Sequence, residues 1–156
     1  MQNYTKSQTR LALVQLIFQN EFLNTDSPES IEDFHKHFYD SNIAIIDEKK
    51  EFKFKFNKNF LNRLFSSFQN NIDKKIIIED LNRFIDINRK FEKWDNILKS
   101  IIFAIIAELL ITEKNKFKIV FNDYINISKS FVSQKETKLI NAIIQKYIDK
   151  DEINKK

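Results

Sequence analysis

The chain has no glycine, no cysteine and a single proline, Pro28, among its 156 residues. Glycine takes positive φ without strain, and the two-residue turns of short β-hairpins depend on it. A body built of tight hairpins is therefore not expected. The same lack removes every glycine-rich phosphate cradle of the P-loop or dinucleotide-binding kind, whose backbone must approach the phosphates without an intervening Cβ. Without cysteine there is no disulfide and no thiolate nucleophile or metal ligand, which fits a reducing cytoplasmic setting. No apolar segment follows a basic start, so no signal peptide is expected. No apolar run approaches the roughly 20 residues of a membrane span. Low-complexity tracts and internal repeats are missing too. The net charge is only +4, which permits nucleic-acid binding without demanding it.

Phenylalanine is abundant, with 16 residues, alongside lysine, isoleucine and asparagine. AT-rich codons favour all four, so part of this bias is genomic. The length suits one domain, expected over 1–150, with 151–156 a solvated, frayed tail. Trp94 to Leu110 is the most apolar stretch, unbroken from Ile101 to Ala107. A helix apolar nearly all round must be covered on nearly all sides. It is read as the central core helix, with Asp95 able to cap its first turn. Glu108 sits inside it. A buried carboxylate is costly unless hydrogen-bonded, so a partner on a neighbouring segment is expected for it rather than an acid–base role.

Around that helix the spacing predicts six others. Tyr4 to Leu23 carries Leu11, Val14, Phe18 and Phe22 along one stripe. Lys6 and Arg10, four apart, share another face and read either as solvated cations or as a phosphate-contacting edge. Ser27 as cap and Pro28 as first helical residue open a second helix to about Tyr39. His35 and His37, two apart on it, point to different faces, and no metal site is expected. Phe52, Phe54 and Phe56 alternate at strand period, while Phe56, Phe60, Leu64 and Phe68 follow at helix period. A helix from about Glu51 is predicted because no partner strand with turn signals is visible. A fourth spans Asp73 to Phe91. After the central helix, Val120, Tyr124, Ile127 and Phe131 mark a sixth. Ser133 and Glu136 form a capping box opening the last, whose Leu139, Ile140, Ile143, Ile144, Tyr147 and Ile148 face inward. Lys135, Lys138 and Gln145 lie on its outer side. About seven helices make the class all-α. No catalytic constellation is visible, so an enzyme is not expected and no cofactor is implied.

Three stretches together resemble the bacterial transcription antitermination NusB family. Thr9 to Phe18 is similar to the family's R-x-x-A-x-Q-x-L-Y helix. Ile97 to Leu110 resembles its V-x-x-x-I-L-R-x-A-x-x-E-L helix, with Glu108-Leu109 at the E-L position. Val120 to Ile125, Ser128 to Phe131 and Leu139 to Ile144 resemble I-N-E-A-x-x-L-A-K-x-F-G…F-V-N-G-x-L. The region from Asp40 to Lys93 matches little and is longer than in the usual member. The resemblance implies seven helices in two packed bundles. It implies binding of single-stranded boxA-type RNA jointly with the ribosomal protein NusE, within an RNA polymerase antitermination complex that reads through terminators in ribosomal RNA operons. Carried residue by residue, the RNA contacts it implies are Arg10, more loosely Lys6, then Lys135 and Lys138.

The departures bear on this reading. Only Lys6 and Arg10 remain of the family's several N-terminal cations, and each lost phosphate contact flattens the salt dependence. Phe103 replaces the arginine of I-L-R. Leu139 replaces an aromatic that would stack a base. Val132 and Ala142 replace glycines, and a β-branched Val132 does not sit easily at φ > 0, so the sixth helix should end differently. Lys135 stands where many members carry an acid. The thin N-terminal charge keeps a second reading open, a helical protein–protein adaptor of the same fold with little RNA affinity. An RNA methyltransferase's NusB-like domain is disfavoured, since no catalytic domain follows. Exposed aromatic surface on the middle helices could serve a homodimer or another partner. A single RNA strand touching all four cations needs them on one continuous face.

Overall fold

A computed structural model describes residues 3–23, 31–45, 50–85 and 90–154. Seven α-helices and one two-stranded hairpin occur among them: α1 (Asn3–Phe22), α2 (Ile31–Phe38), β1 (Asn42–Ile45), β2 (Lys50–Lys53), α3 (Lys58–Asn71), α4 (Lys74–Asn82), α5 (Asn96–Leu109), α6 (Phe117–Ser128) and α7 (Gln134–Asn154). The fold is all-α, as the composition and periodicity indicate. The Ser27–Pro28 helix start lies outside the described residues.

The predicted central helix is α5. Every residue from Ser100 to Leu109 is buried, Glu108 included. It packs against α1, α3, α6 and α7, while α1 also packs on α3 and α6. Asp95 is its N-cap residue, but the Asp95 carboxylate makes no capping bond, contrary to expectation. The helix is held instead by what covers it. α1 is covered from several directions too. Ala12, Leu13, Val14, Leu16 and Ile17 are buried, so of the predicted stripe Val14 lies inside while Leu11, Phe18 and Phe22 are only half-buried.

The middle of the chain corrects two expectations. Instead of a helix from Glu51, Lys50–Lys53 pairs antiparallel with Asn42–Ile45, Ile43 opposite Phe52. The pairing continues outward as Asp40 N–H donates to Phe54 O at 2.7 Å and Phe54 N–H to Ser41 O at 2.8 Å. Strand period in the Phe52-Phe54-Phe56 segment was thus the true signal. The ribbon starts from Asp40, which has φ 64°, a conformation aspartate tolerates better than most residues. Phe54 and Phe56 are buried, and Phe56 meets Phe34 of α2 with ring centroids 5.5 Å apart. α3 begins only after Asn57, whose side chain caps Phe60 N–H at 2.8 Å.

α4 is also shorter than the predicted Asp73–Phe91 helix. Asp73 caps it, it ends at Asn82, and Phe91–Lys93 forms a separate 3₁₀ turn. Asn82 Oδ1 accepts from Phe91 N–H at 2.8 Å and so ties the two pieces. The end of α6 avoids positive φ, as the absence of glycine there requires: Lys129 remains αR, and Phe131 and Val132 N–H both donate to Ser128 O. Phe131 therefore lies past the helix, and it is exposed. The capping box is formed as expected. Ser133 N–H donates to Glu136 Oε1 at 3.1 Å, and Glu136 N–H to Ser133 Oγ at 3.2 Å. Ile140, Ile143 and Ile144 of α7 are buried.

Candidate nucleic-acid interface

The four cations singled out in the sequence do not share one face. Arg10 is the clearest correction. Its guanidinium is buried, with 9% of the side chain accessible against 4% for Glu108. Nε donates to Glu108 Oε1 at 2.9 Å, Nη2 to Glu108 Oε2 at 2.8 Å, and Nη1 to Asp123 Oδ2 at 2.6 Å. Tyr124 Oη donates to Glu108 Oε1 at 2.8 Å, and Ser7 Oγ to Asp123 Oδ1 at 2.7 Å. The Phe60 and Tyr124 rings each lie 5.9 Å from the guanidinium carbon. Four helices, α1, α3, α5 and α6, thus meet at one cation.

This hub supplies the partner expected for Glu108, and it explains why Arg10 is no surface phosphate contact. Its forked donors match a carboxylate two at a time, a strong and specific geometry. Burial by itself lowers the Arg10 pKa, but the bonds to Glu108 and Asp123 outweigh it and leave the pKa raised. Burial, followed by the charge of Glu108, pushes the Tyr124 phenol well above its ordinary value, so it stays a donor.

Lys135 and Lys138 do come together. Both are exposed at the start of α7 and line a groove of about 580 Å³ with Lys93, Trp94, Asp95, Leu98, Glu136 and Leu139. The groove lies where the first turn of α7 passes the first turn of α5. Its wall has an apolar part, Leu98 and Leu139, one aromatic and three lysines. None of the ion pairs among the described residues involves those lysines. Glu136 is engaged in its capping box.

The groove and the hub are at opposite ends of α5. α1 runs antiparallel to it, since Arg10 meets Glu108 while Lys99 Nζ lies 5.6 Å from the Phe22 ring centroid. Leu98 at the groove and Glu108 at the hub are ten residues apart, roughly 15 Å at 1.5 Å per residue. Lys6, half-buried, precedes Arg10 by one turn of α1 and is thus farther still from Lys135 and Lys138. Trp94 was read from the sequence only as the edge of the core helix. The signal that could have placed it in the groove was its position just before the α5 cap, where a helix end meets solvent.

No group of three or more His, Asp or Glu side chains among the described residues is placed to hold a metal ion. His35 stacks on Tyr39, ring centroids 4.4 Å apart. No helix among them is long and apolar enough to cross a membrane.

The model of the NusB family matches residues 7–149. The transcription antitermination protein NusB of Rickettsia conorii is 27% identical over 141 residues, covering 90% of this chain and 89% of that protein. Its namesake from Rickettsia massiliae is 26% identical over the same shares. The Bartonella quintana protein of that name is 24% identical over 140 residues, 86% of this chain and 82% of its own. No solved structure gives a significant match.

Proposed function

The chain belongs to the NusB family, and from that premise we propose that it is a transcription antitermination factor that binds single-stranded RNA. The RNA is of the boxA type, and it is bound together with the ribosomal protein NusE. The assembly joins the RNA polymerase antitermination complex and promotes read-through in ribosomal RNA operons. The family match over nearly the whole chain supports the role in transcription. One observation on the molecule carries the RNA contact. Lys135 and Lys138, the two family-derived cations on α7, stand exposed and free of ion pairs among the described residues, beside an aromatic and apolar groove wall. Cations tracking phosphates beside an aromatic face are how single strands are bound without a duplex to read.

In this reading Lys135 and Lys138 are the phosphate contacts and Lys6 an outlying one. Arg10 is a positioning residue that fixes α1. Binding of a boxA oligoribonucleotide across a salt series, with and without NusE, tests it. The slope of log affinity against log salt falls by roughly 0.7 for each single-strand phosphate contact removed. Lys135→Ala and Lys138→Ala should each flatten it by about that amount. Binding that is indifferent to both substitutions sinks the proposed surface.

A second reading has its own support. With Arg10 committed to Glu108 and Asp123, the basic edge of α1 reduces to Lys6, which favours a protein–protein adaptor with little RNA affinity. Absence of RNA binding even with NusE present selects that reading.

A further inference from the structure

We propose that Lys93 is a third phosphate contact for single-stranded RNA, set on the α5 side of the groove against Lys135 and Lys138 on the α7 side, so that the strand is held between two cationic walls. The inference rests on the RNA reading above and deepens it. Lys93 lines the same groove as the two α7 lysines and is exposed. Its backbone is fixed from behind. It ends the 3₁₀ turn that begins at the wholly buried Phe91, whose N–H is held by Asn82 Oδ1. Lys93 N–H donates to Lys90 O at 2.9 Å, and Lys99 Nζ donates to Glu92 O at 2.6 Å. A cation on a fixed stem has less freedom to lose on binding than one on a mobile loop.

Each wall of the groove carries both signs of charge. Lys93 and Asp95 stand on the α5 side, Lys135, Lys138 and Glu136 on the α7 side. Three lysines thus face two carboxylates, and both carboxylates sit where a helix answers their charge. Glu136 accepts from Ser133 N–H and Oγ in the capping box of α7, and Asp95 is the N-cap residue of α5. A helix N-terminus carries roughly half a positive charge, which offsets an acid placed there. The lysines have no such compensation, since none of the three is in an ion pair among the described residues. The charged neighbours of Lys93 turn elsewhere: Glu92 accepts from Asn82 Nδ2 at 2.5 Å, and Lys99 reaches the Glu92 carbonyl and the Phe22 ring. A polyanion is therefore drawn in from both sides. Between the walls lie Leu98, buried, and Leu139, half-buried. They give an apolar floor for sugars and bases while the phosphates meet lysines on either side. A strand so held runs within the groove and not over the outer face of α7.

The experiment follows a labelled boxA oligoribonucleotide by anisotropy as it binds the full chain with NusE present, across a salt series. Lys93→Gln is expected to flatten the slope of log affinity against log salt by roughly 0.7, and the combined Lys93→Gln, Lys135→Gln and Lys138→Gln variant by about 2. Lys93→Arg, which keeps the charge, is expected to retain the wild-type slope. Lys118→Gln, on the exposed side of α6 at the far end of α5, changes net charge by the same amount and is expected to leave the slope unmoved. A slope unaffected by Lys93→Gln but flattened by Lys135→Gln and Lys138→Gln overturns the Lys93 contact and leaves the RNA reading in place. Equal flattening by Lys118→Gln overturns it too, as an effect of net charge alone. Lys93→Gln that weakens binding of NusE in the absence of RNA, with the RNA salt slope unchanged, assigns the residue to a protein partner and overturns the proposal. No RNA binding by the unaltered chain overturns both readings.

Discussion

Replacing Arg10 with methionine separates a structural cation from an RNA-contacting one. Methionine keeps most of the aliphatic length but removes the guanidinium. Glu108, with only 4% of its side chain accessible, then retains a single partner, the Tyr124 hydroxyl at 2.8 Å. Asp123 suffers less, because 20% of its side chain is accessible and Ser7 still donates to it. The cost is thus dominated by one uncompensated buried carboxylate. Removing one member of a buried pair costs about 3–5 kcal/mol. At roughly 2–4 °C per kcal/mol for a domain of this size, Tm should fall by about 6–20 °C in thermal unfolding followed by circular dichroism. The pair itself is expected to add little over an apolar replacement. Arg10→Met combined with Glu108→Leu and Tyr124→Phe, which leaves no buried hydroxyl without its acceptor, should therefore recover most of the loss, a non-additivity that surface cations do not show. Arg10→Met with an unchanged Tm and a flattened salt dependence of RNA binding would refute the buried-hub reasoning and return Arg10 to the RNA surface.

Three further outcomes are expected. Tyr124 has a folded pKa well above its ordinary value of 10.0. The stability it carries is therefore complete below about pH 10 and is lost as pH rises from there towards the folded pKa. Urea unfolding between pH 9 and 11 should show that decline, less steep in Tyr124→Phe. Ser133→Ala removes the α7 cap and should cost about 1 kcal/mol in the same assay. Val132→Gly should destabilise by roughly 0.5–1 kcal/mol, because no positive φ occurs at this helix end and glycine only loosens the unfolded chain.

What could be read from the sequence was what local chemistry decides. The apolar run of α5, the Ser133–Glu136 box and the inward isoleucines of α7 each follow from a few neighbouring residues. So did the need of Glu108 for a partner, since an apolar setting makes that demand by itself. The hairpin was missed because its signal was split: the alternating phenylalanines were visible, but the strand opposite them carries no glycine turn to announce it. Arg10 was misplaced for a different reason. Its spacing from Lys6 resembles any solvated helix face, and what buries it, Glu108 and Asp123, lies 98 and 113 residues away. The groove was half legible. Lys135 and Lys138 came from the family pattern, whereas Trp94 joins them only through the packing of α7 beside α5.

The hub also acts as a locating pin for the first helix. Sliding α1 by one turn along α5 would carry a full charge in among isoleucines and strand two carboxylates, so that alignment is singular. Any chimaera that exchanges α1 with another chain must therefore carry Arg10, Glu108 and Asp123 across as one inherited set, or the first helix will seat in the wrong place.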